Sequence, residues 1–230
     1  MLLYYITDRT AFSGSEAERR SALLRRIGEA ACAGVDYIQL REKDLCTREL
    51  ERLAHEALAA LRESSATTKL LINGRTDIAL AVGADGVHLP GGEIPPSEVR
   101  TLWMKCSDRA PIIGVSAHSL AEVRLAESHG ADFAVLAPIF EKPHTAARAI
   151  GVAALREACS RLPACGAESS SPAFPVLALG GVNVENAAAC VSAGAFGVAG
   201  IRVFQTGEVQ ETVQRLRALS SQNALSARRF

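Results

Sequence analysis

The sequence predicts an α/β fold, a (β/α)8 TIM barrel built as one domain. Three observations predict it. Eight short apolar, often β-branched runs recur along the 230 residues, and Ala/Leu/Glu/Arg-rich segments with helical spacing fall between them. Four joints carry a glycine followed two residues later by an aspartate or a phenylalanine, at "AGVD", "VGAD", "HGAD" and "AGAF". Strict alternation of strand and helix, repeated eight times, is the pattern of a closed parallel barrel.

The runs are residues 3–7, 36–40, 69–72, 85–89, 111–115, 132–136, 175–179 and 196–200. They are too continuous for strands with one wet face and suit a parallel sheet covered on both sides. Helical spacing is clear at 15–33, 47–63, 119–129, 183–193 and 207–220. Ser119 ahead of Leu120, with Glu122 three positions on, is an N-cap signal; Thr47 ahead of Glu49 and Leu50 is similar. At the joints the glycine supplies the left-handed residue that ends a helix. The competing architecture is an open doubly wound sheet. Its Gly-rich first turn is missing from "TDRTAFSGS".

Two stretches break the rhythm. "FEKPHTAARAIGV" (140–152) follows the sixth strand on the side where barrels keep their chemistry, so it is expected to act as a lid. "PACGAESSSPAF" (163–174) lies on the opposite face and reads as a tolerated insertion. The barrel is assigned to 1–220 and a frayed tail to 221–230.

Composition narrows the function. Twenty-five basic residues balance twenty-five acidic ones. A neutral chain offers no general basic face to nucleic acid or to a membrane surface. No apolar run reaches membrane-spanning length. "MLLYYITDRT" enters a strand at once and lacks the features of a signal peptide. Six cysteines show no Cys-x-x-Cys spacing and no His cluster, as expected of free thiols in a reducing compartment rather than a zinc site. A cytoplasmic location follows as an expectation.

In a barrel the C-terminal strand ends face the active site. Strand two ends in Gln39-Leu40-Arg41-Glu42-Lys43, and alternation sends Gln39, Arg41 and Lys43 to one side. Two cations and an amide there suit phosphate oxygens. The bland alternative is an Arg41–Glu42 ion pair at the rim. Strand three ends in Asn73-Gly74-Arg75. Strand four carries His88, with Glu93 beyond it, and His88 is as consistent with a satisfied core histidine as with a functional one. Strand five ends in Ser116-Ala117-His118. His118 lies just past its strand and is the proton-transfer candidate, because imidazole titrates near neutrality. Gly180-Gly181 after strand seven, with the glycine pair of Gly197-Val198-Ala199-Gly200-Ile201 ending strand eight, match the phosphate cradle usual in this fold, built from backbone N–H groups and helix N-termini.

"YYITDR", "YIQLREKD", "INGRTDIALAVGADGVHLP", "IIGVSAHSLAEV", "GADFAVLAPIF" and "PVLALGGVNVENAAACVSAGAFGVAGI" occur in that order, and together the chain resembles the thiamine phosphate synthase/TenI superfamily. The resemblance implies binding of a small phosphorylated substrate, thiazole phosphate, by Gly180, Gly181, Ala199 and Gly200. It implies that Gln39, Arg41, Lys43 and Ser116 match the residues with which synthases hold a pyrimidine diphosphate, and that Asn73 begins their Asn-Asp pair. Gly74 stands where the metal-binding acid of that pair would be. Glu93 aligns with the second metal acid. Lys142 is displaced from the lysine of the loop after strand six. "NGR", "LP-x-G", Pro96 and Arg100 resemble TenI proteins instead.

The expectation taken from these departures is a TenI-like thiazole tautomerase. It would use His118 and Ser116, take Arg75 and Lys142 into the second anion pocket, and need no cofactor. The alternatives are a thiamine phosphate synthase, with Mg²⁺ at Glu93, and a non-catalytic ligand-binding or regulatory protein. Barrels of this type often pair, so a homodimer is a compatible assembly.

Overall fold

Apolar runs buried on both faces pair only with one another, and helices then cover the resulting sheet. The computed structural model describes residues 1–64, 67–141, 148–160 and 173–226. Its strands are β1 (Leu2–Ile6), β2 (Tyr37–Leu40), β3 (Lys69–Asn73), β4 (Gly86–Leu89), β5 (Ile112–Ala117), β6 (Phe133–Leu136), β7 (Val176–Ala178) and β8 (Gly197–Gly200). All eight pair in parallel and in chain order, and β8 closes back onto β1 through Leu2↔Gly197 to Tyr5↔Gly200. The closed barrel is therefore the fold, and the open doubly wound sheet is excluded.

The covering helices are α1 (Glu16–Ala33), α2 (Thr47–Ser64), α3 (Thr76–Val82), α4 (Pro96–Cys106), α5 (Leu120–Ser128), α6 (Gly151–Cys159), α7 (Ala187–Ser192), α8 (Arg202–Gln205) and α9 (Val209–Ser226). Ser119 caps α5 by accepting the Glu122 N–H at 3.2 Å. Thr47 is instead the first residue of α2, and the position ahead of it is Cys46, whose N–H donates to Glu49 Oε2 at 3.2 Å. The helix expected from 183 begins only at Ala187. Asn183 and Asn186 accept each other's backbone N–H at 2.8 and 2.9 Å, a local turn that competes with helix. Lys142, the loop segment 142–147, residues 163–172 of the expected insertion and residues 227–230 lie outside the described residues.

The helix-to-strand joints explain the repeated aspartates. Gly34 and Gly83 end α1 and α3 in the left-handed region, at φ 91° and 71°. Two residues on, the aspartate turns back to the preceding strand. Asp36 accepts the Leu3 N–H at 2.6 Å, Asp85 the Leu70 N–H at 3.0 Å, and Asp132 the Ile113 N–H at 2.6 Å. Each carboxylate clasps the N-terminal ends of one strand pair: β1 with β2, β3 with β4, and β5 with β6. At the fourth joint Phe196 stands in that place, half exposed, and only its backbone N–H reaches Val176 O.

The core has two parts. The larger lies between strands and helices and takes the outward strand residues such as Leu3, Tyr5, Ile38, Leu40 and Val87. The smaller fills the barrel interior: Tyr4, Ile6, Leu71, Phe133, Val135, Leu177 and Ala199. Large rings fit there because Gly114 offers none. A Cβ at Gly114 would lie 2.3 Å from the Phe133 ring and 2.8 Å from His88 Nδ1. No helix among the described residues is long and apolar enough to cross a membrane.

Candidate active site

The mouth is built from the C-terminal strand ends, and a chain of polar side chains lies beneath it inside the barrel. Tyr4 on β1 points inward, as the alternation with Leu3 and Tyr5 requires. Its hydroxyl accepts from Gln39 Nε2 of β2 at 2.9 Å and lies 3.2 Å from His88 Nδ1 of β4. His88 Nε2 lies 2.9 Å from Ser116 Oγ of β5. Gln39, Tyr4 and His88 are all buried, and Ser116 is half-buried at the mouth. Burial pushes His88 down to about 3, and the nearby Arg41 charge pushes the same way, so the ring is neutral at physiological pH.

Just past the C-terminal end of β2 come its two cations. Arg41 is half-buried and Lys43 exposed, and neither side chain has an ion-pair partner among the described residues. The bland alternative of an Arg41–Glu42 pair is corrected. Glu42 is on the other side of the strand end, buried, and bound to Thr7 Oγ1 at 2.6 Å and to Arg9 Nη1 at 3.2 Å. Arg9 also reaches Asp44 through both terminal nitrogens at 2.7 and 2.8 Å, and Glu16 at 2.6 Å. Burial raises Glu42 despite Thr7 and Arg9, whereas Arg9 holds Asp44 below its usual range. Thr7 Oγ1 in turn accepts the Arg41 N–H at 2.9 Å. The network therefore anchors the backbone that carries Arg41 without engaging its guanidinium among the described residues.

The strand-three tip differs from expectation. Arg75 is expected in the second anion pocket, but its guanidinium makes a two-pronged contact with Asp77, at 2.8 and 2.6 Å, and a third with Thr47 at 3.1 Å. The short spacing Arg-Thr-Asp brings the pair together at the start of α3, and the charge is spent there. Asn73 closes β3 beside His88 and has no side-chain partner among the described residues. Gly74 adopts φ 66° and donates its N–H to His88 O at 2.9 Å. Glu93 is exposed after β4 and likewise without a partner among the described residues.

His118 sits at the mouth, exposed, with Nδ1 2.9 Å from Ala137 O and its backbone N–H on Glu122. The carbonyl can only accept, so Nδ1 carries the proton and Nε2 faces outward. His118 does not touch Ser116; the histidine that does is His88. Sequence reasoning named His88 without placing it in the site, and it missed Tyr4. Their signal was inward alternation on β1 and β4.

On the far side of the mouth, Gly180 and Gly181 adopt φ 92° and 67°. A Cβ at Gly181 would sit 2.7 Å from Phe140 Cβ. The N–H groups of Gly180, Gly181 and Val182 have no acceptor among the described residues. Ala199 is fully buried in the interior, and Gly200 follows it at the end of β8, ahead of α8. Free amides after β7 suit an anion. Among the described residues no group of three or more His, Cys, Asp or Glu could hold a metal.

The family described as thiamine monophosphate synthase matches residues 3–204. A protein of Aquifex aeolicus (strain VF5), provisionally named thiamine-phosphate synthase 2, is 42% identical over 88% of this chain and 96% of its own. The thiamine-phosphate synthase of Syntrophomonas wolfei subsp. wolfei is 34% identical over 96% of this chain and 97% of its own. Among solved structures, thiamine phosphate pyrophosphorylase from Pyrococcus furiosus superposes with a TM-score of 0.75 at 31% identity, covering 96% of both chains. These names correct the thiazole tautomerase expectation, since the similar proteins carry the synthase name. They favour an enzyme over the non-catalytic reading as well.

Proposed function

Because the chain belongs to the thiamine monophosphate synthase family, we propose that it is a transferase of thiamine biosynthesis, joining a pyrimidine diphosphate to thiazole phosphate and releasing pyrophosphate. The observation that carries this reading is the pair of cations just past the C-terminal end of β2, Arg41 and Lys43, which have no ion-pair partner among the described residues. When the carbon–oxygen bond to the diphosphate breaks, negative charge gathers on the leaving oxygens. Fixed cations stabilise it there without reorganising. The glycine amides across the mouth take the phosphate of the thiazole partner, and the new bond forms between the two. Ser116 and Asn73 orient the pyrimidine ring.

The resemblance implies Mg²⁺. That ion needs one or two carboxylates in addition to substrate phosphates. Glu93 is one free acid near this rim, Asp77 is held by Arg75, and Gly74 supplies no side chain. The described residues do not build a metal site on their own.

The test is pyrophosphate release from the two substrates with Mg²⁺ present. Release well above the protein-free rate supports the reading, and Arg41→Met should lower kcat/KM by about 100-fold, the worth of one electrostatic stabiliser. No release from folded protein that binds thiazole phosphate would overturn it.

A further inference from the structure

We infer that the buried chain Gln39–Tyr4–His88–Ser116 is a one-way hydrogen-bond relay, which fixes His88 with its proton on Nε2 and leaves the Ser116 hydroxyl proton for an acceptor atom on the bound substrate. The direction follows from counting protons. Gln39 Nε2 is a donor, so the Tyr4 oxygen accepts from it at 2.9 Å. Tyr4 has a single proton, and its other contact is His88 Nδ1 at 3.2 Å. That nitrogen must accept. A neutral ring with a bare Nδ1 carries its proton on Nε2, which donates to Ser116 Oγ at 2.9 Å. The serine oxygen is then filled on one side, and its own proton turns to the mouth.

Packing keeps the chain in one arrangement. Tyr4 and Phe133 meet edge-on at 5.4 Å between centroids, and His88 lies 6.2 Å from Phe133. Gly114 on β5 leaves the space that the imidazole fills, since a Cβ there would lie 2.8 Å from His88 Nδ1. His88 is also held neutral by burial and by Arg41. A charged ring would have two donors and would oppose the Tyr4 proton.

The relay deepens the synthase reading and rests on it for the identity of the substrate. A serine that can only donate outward selects a lone pair above it. On a pyrimidine, that is a ring nitrogen rather than an exocyclic amine. Tyr4 and His88 are thus positioning residues, acting through Ser116. The opposite polarity, with Tyr4 donating to a rotated Gln39 amide and Ser116 donating inward to His88, would select a donor on the substrate instead.

The ligand-free protein tests the direction. Long-range ¹H–¹⁵N correlation of the histidine rings, with His88 assigned by the signals lost in His88→Gln, should show Nε2 protonated and Nδ1 bare. A proton on Nδ1, or an imidazolium at neutral pH, would overturn the relay. Ser116→Ala should leave that pattern unchanged, because Tyr4 sets it; a switch on losing Ser116 would also overturn it. In Tyr4→Phe the pattern should shift and kcat for pyrophosphate release should fall about tenfold, the worth of one hydrogen bond. The KM for thiazole phosphate should not move. An unchanged pattern with unchanged kcat would count against the relay. If no synthase turnover exists at all, the ring signals still decide the polarity, so the two ideas fail separately.

Discussion

Acid should destabilise this barrel through His88. The ring is fully enclosed, and burial with Arg41 takes it from 6.5 to about 3. A depressed pKa means that the unfolded chain binds the proton before the folded one does. Stability from this group is therefore complete above pH 6.5 and is lost as pH falls toward 3. Each unit below the unfolded value is worth about 1.4 kcal/mol, so the drop from about pH 8 to 4.5 removes about 2.7 kcal/mol. That is a large share of the roughly 5–15 kcal/mol that holds a typical domain. Urea unfolding of wild type and His88→Gln across this range isolates the effect, because the carboxylates are common to both. Wild type should lose about 2.7 kcal/mol more than the variant. Parallel curves would refute the reasoning, since they would mean that His88 titrates in the fold as it does in water.

Gly114→Ala would press a methyl onto Phe133 and His88, at 2.3 and 2.8 Å. Overpacking of this kind costs about 3 kcal/mol, so a lowered Tm and weakened turnover are expected together, and a normal Tm would show that the interior yields. Glu42→Gln leaves Arg9 with Asp44 and Glu16, so it should cost about 2 kcal/mol in chemical denaturation rather than the full penalty of a broken buried pair. It should also raise KM for the diphosphate substrate, because Thr7 then holds the Arg41 backbone less firmly. Gly74→Asp fits, since its Cβ would meet only Pro90 at 3.8 Å, and aspartate tolerates the left-handed conformation better than most residues. It should lower the Mg²⁺ concentration needed for half-maximal pyrophosphate release, at a stability cost near ~1 kcal/mol. An unchanged metal response would show that this rim position is not near the ion.

Much of the architecture was legible in the sequence because burial on both faces writes itself as an apolar run. All eight strands end within two residues of where those runs place them. The site was less legible, and the reason is distance along the chain. Tyr4 and His88 are 84 residues apart and meet only when the barrel closes. His118 was favoured because it follows its strand, a rule about the chain that does not show which imidazole reaches Ser116. Arg75 illustrates the reverse. Its partner Asp77 is two residues away, and that local pairing outweighed a long reach to the mouth. The tautomerase expectation rests on Gly74 in place of a carboxylate and on the displaced Lys142, and the relatives carry the synthase name instead.

The aspartates at the helix-to-strand joints divide the barrel into quarters of unequal strength. Three quarters are buttoned at the base by a carboxylate on the neighbouring strand's N–H, and the quarter made by β7 and β8 has Phe196 in place of the button. Local opening begins where the fewest bonds hold. Amide exchange should therefore come earliest from β7 and β8, the strands that lead into Gly180-Gly181 and end at Gly200. A substrate whose phosphate bridges those two strand ends would supply the missing fastening from the opposite side, so that loading the enzyme also closes its loosest seam.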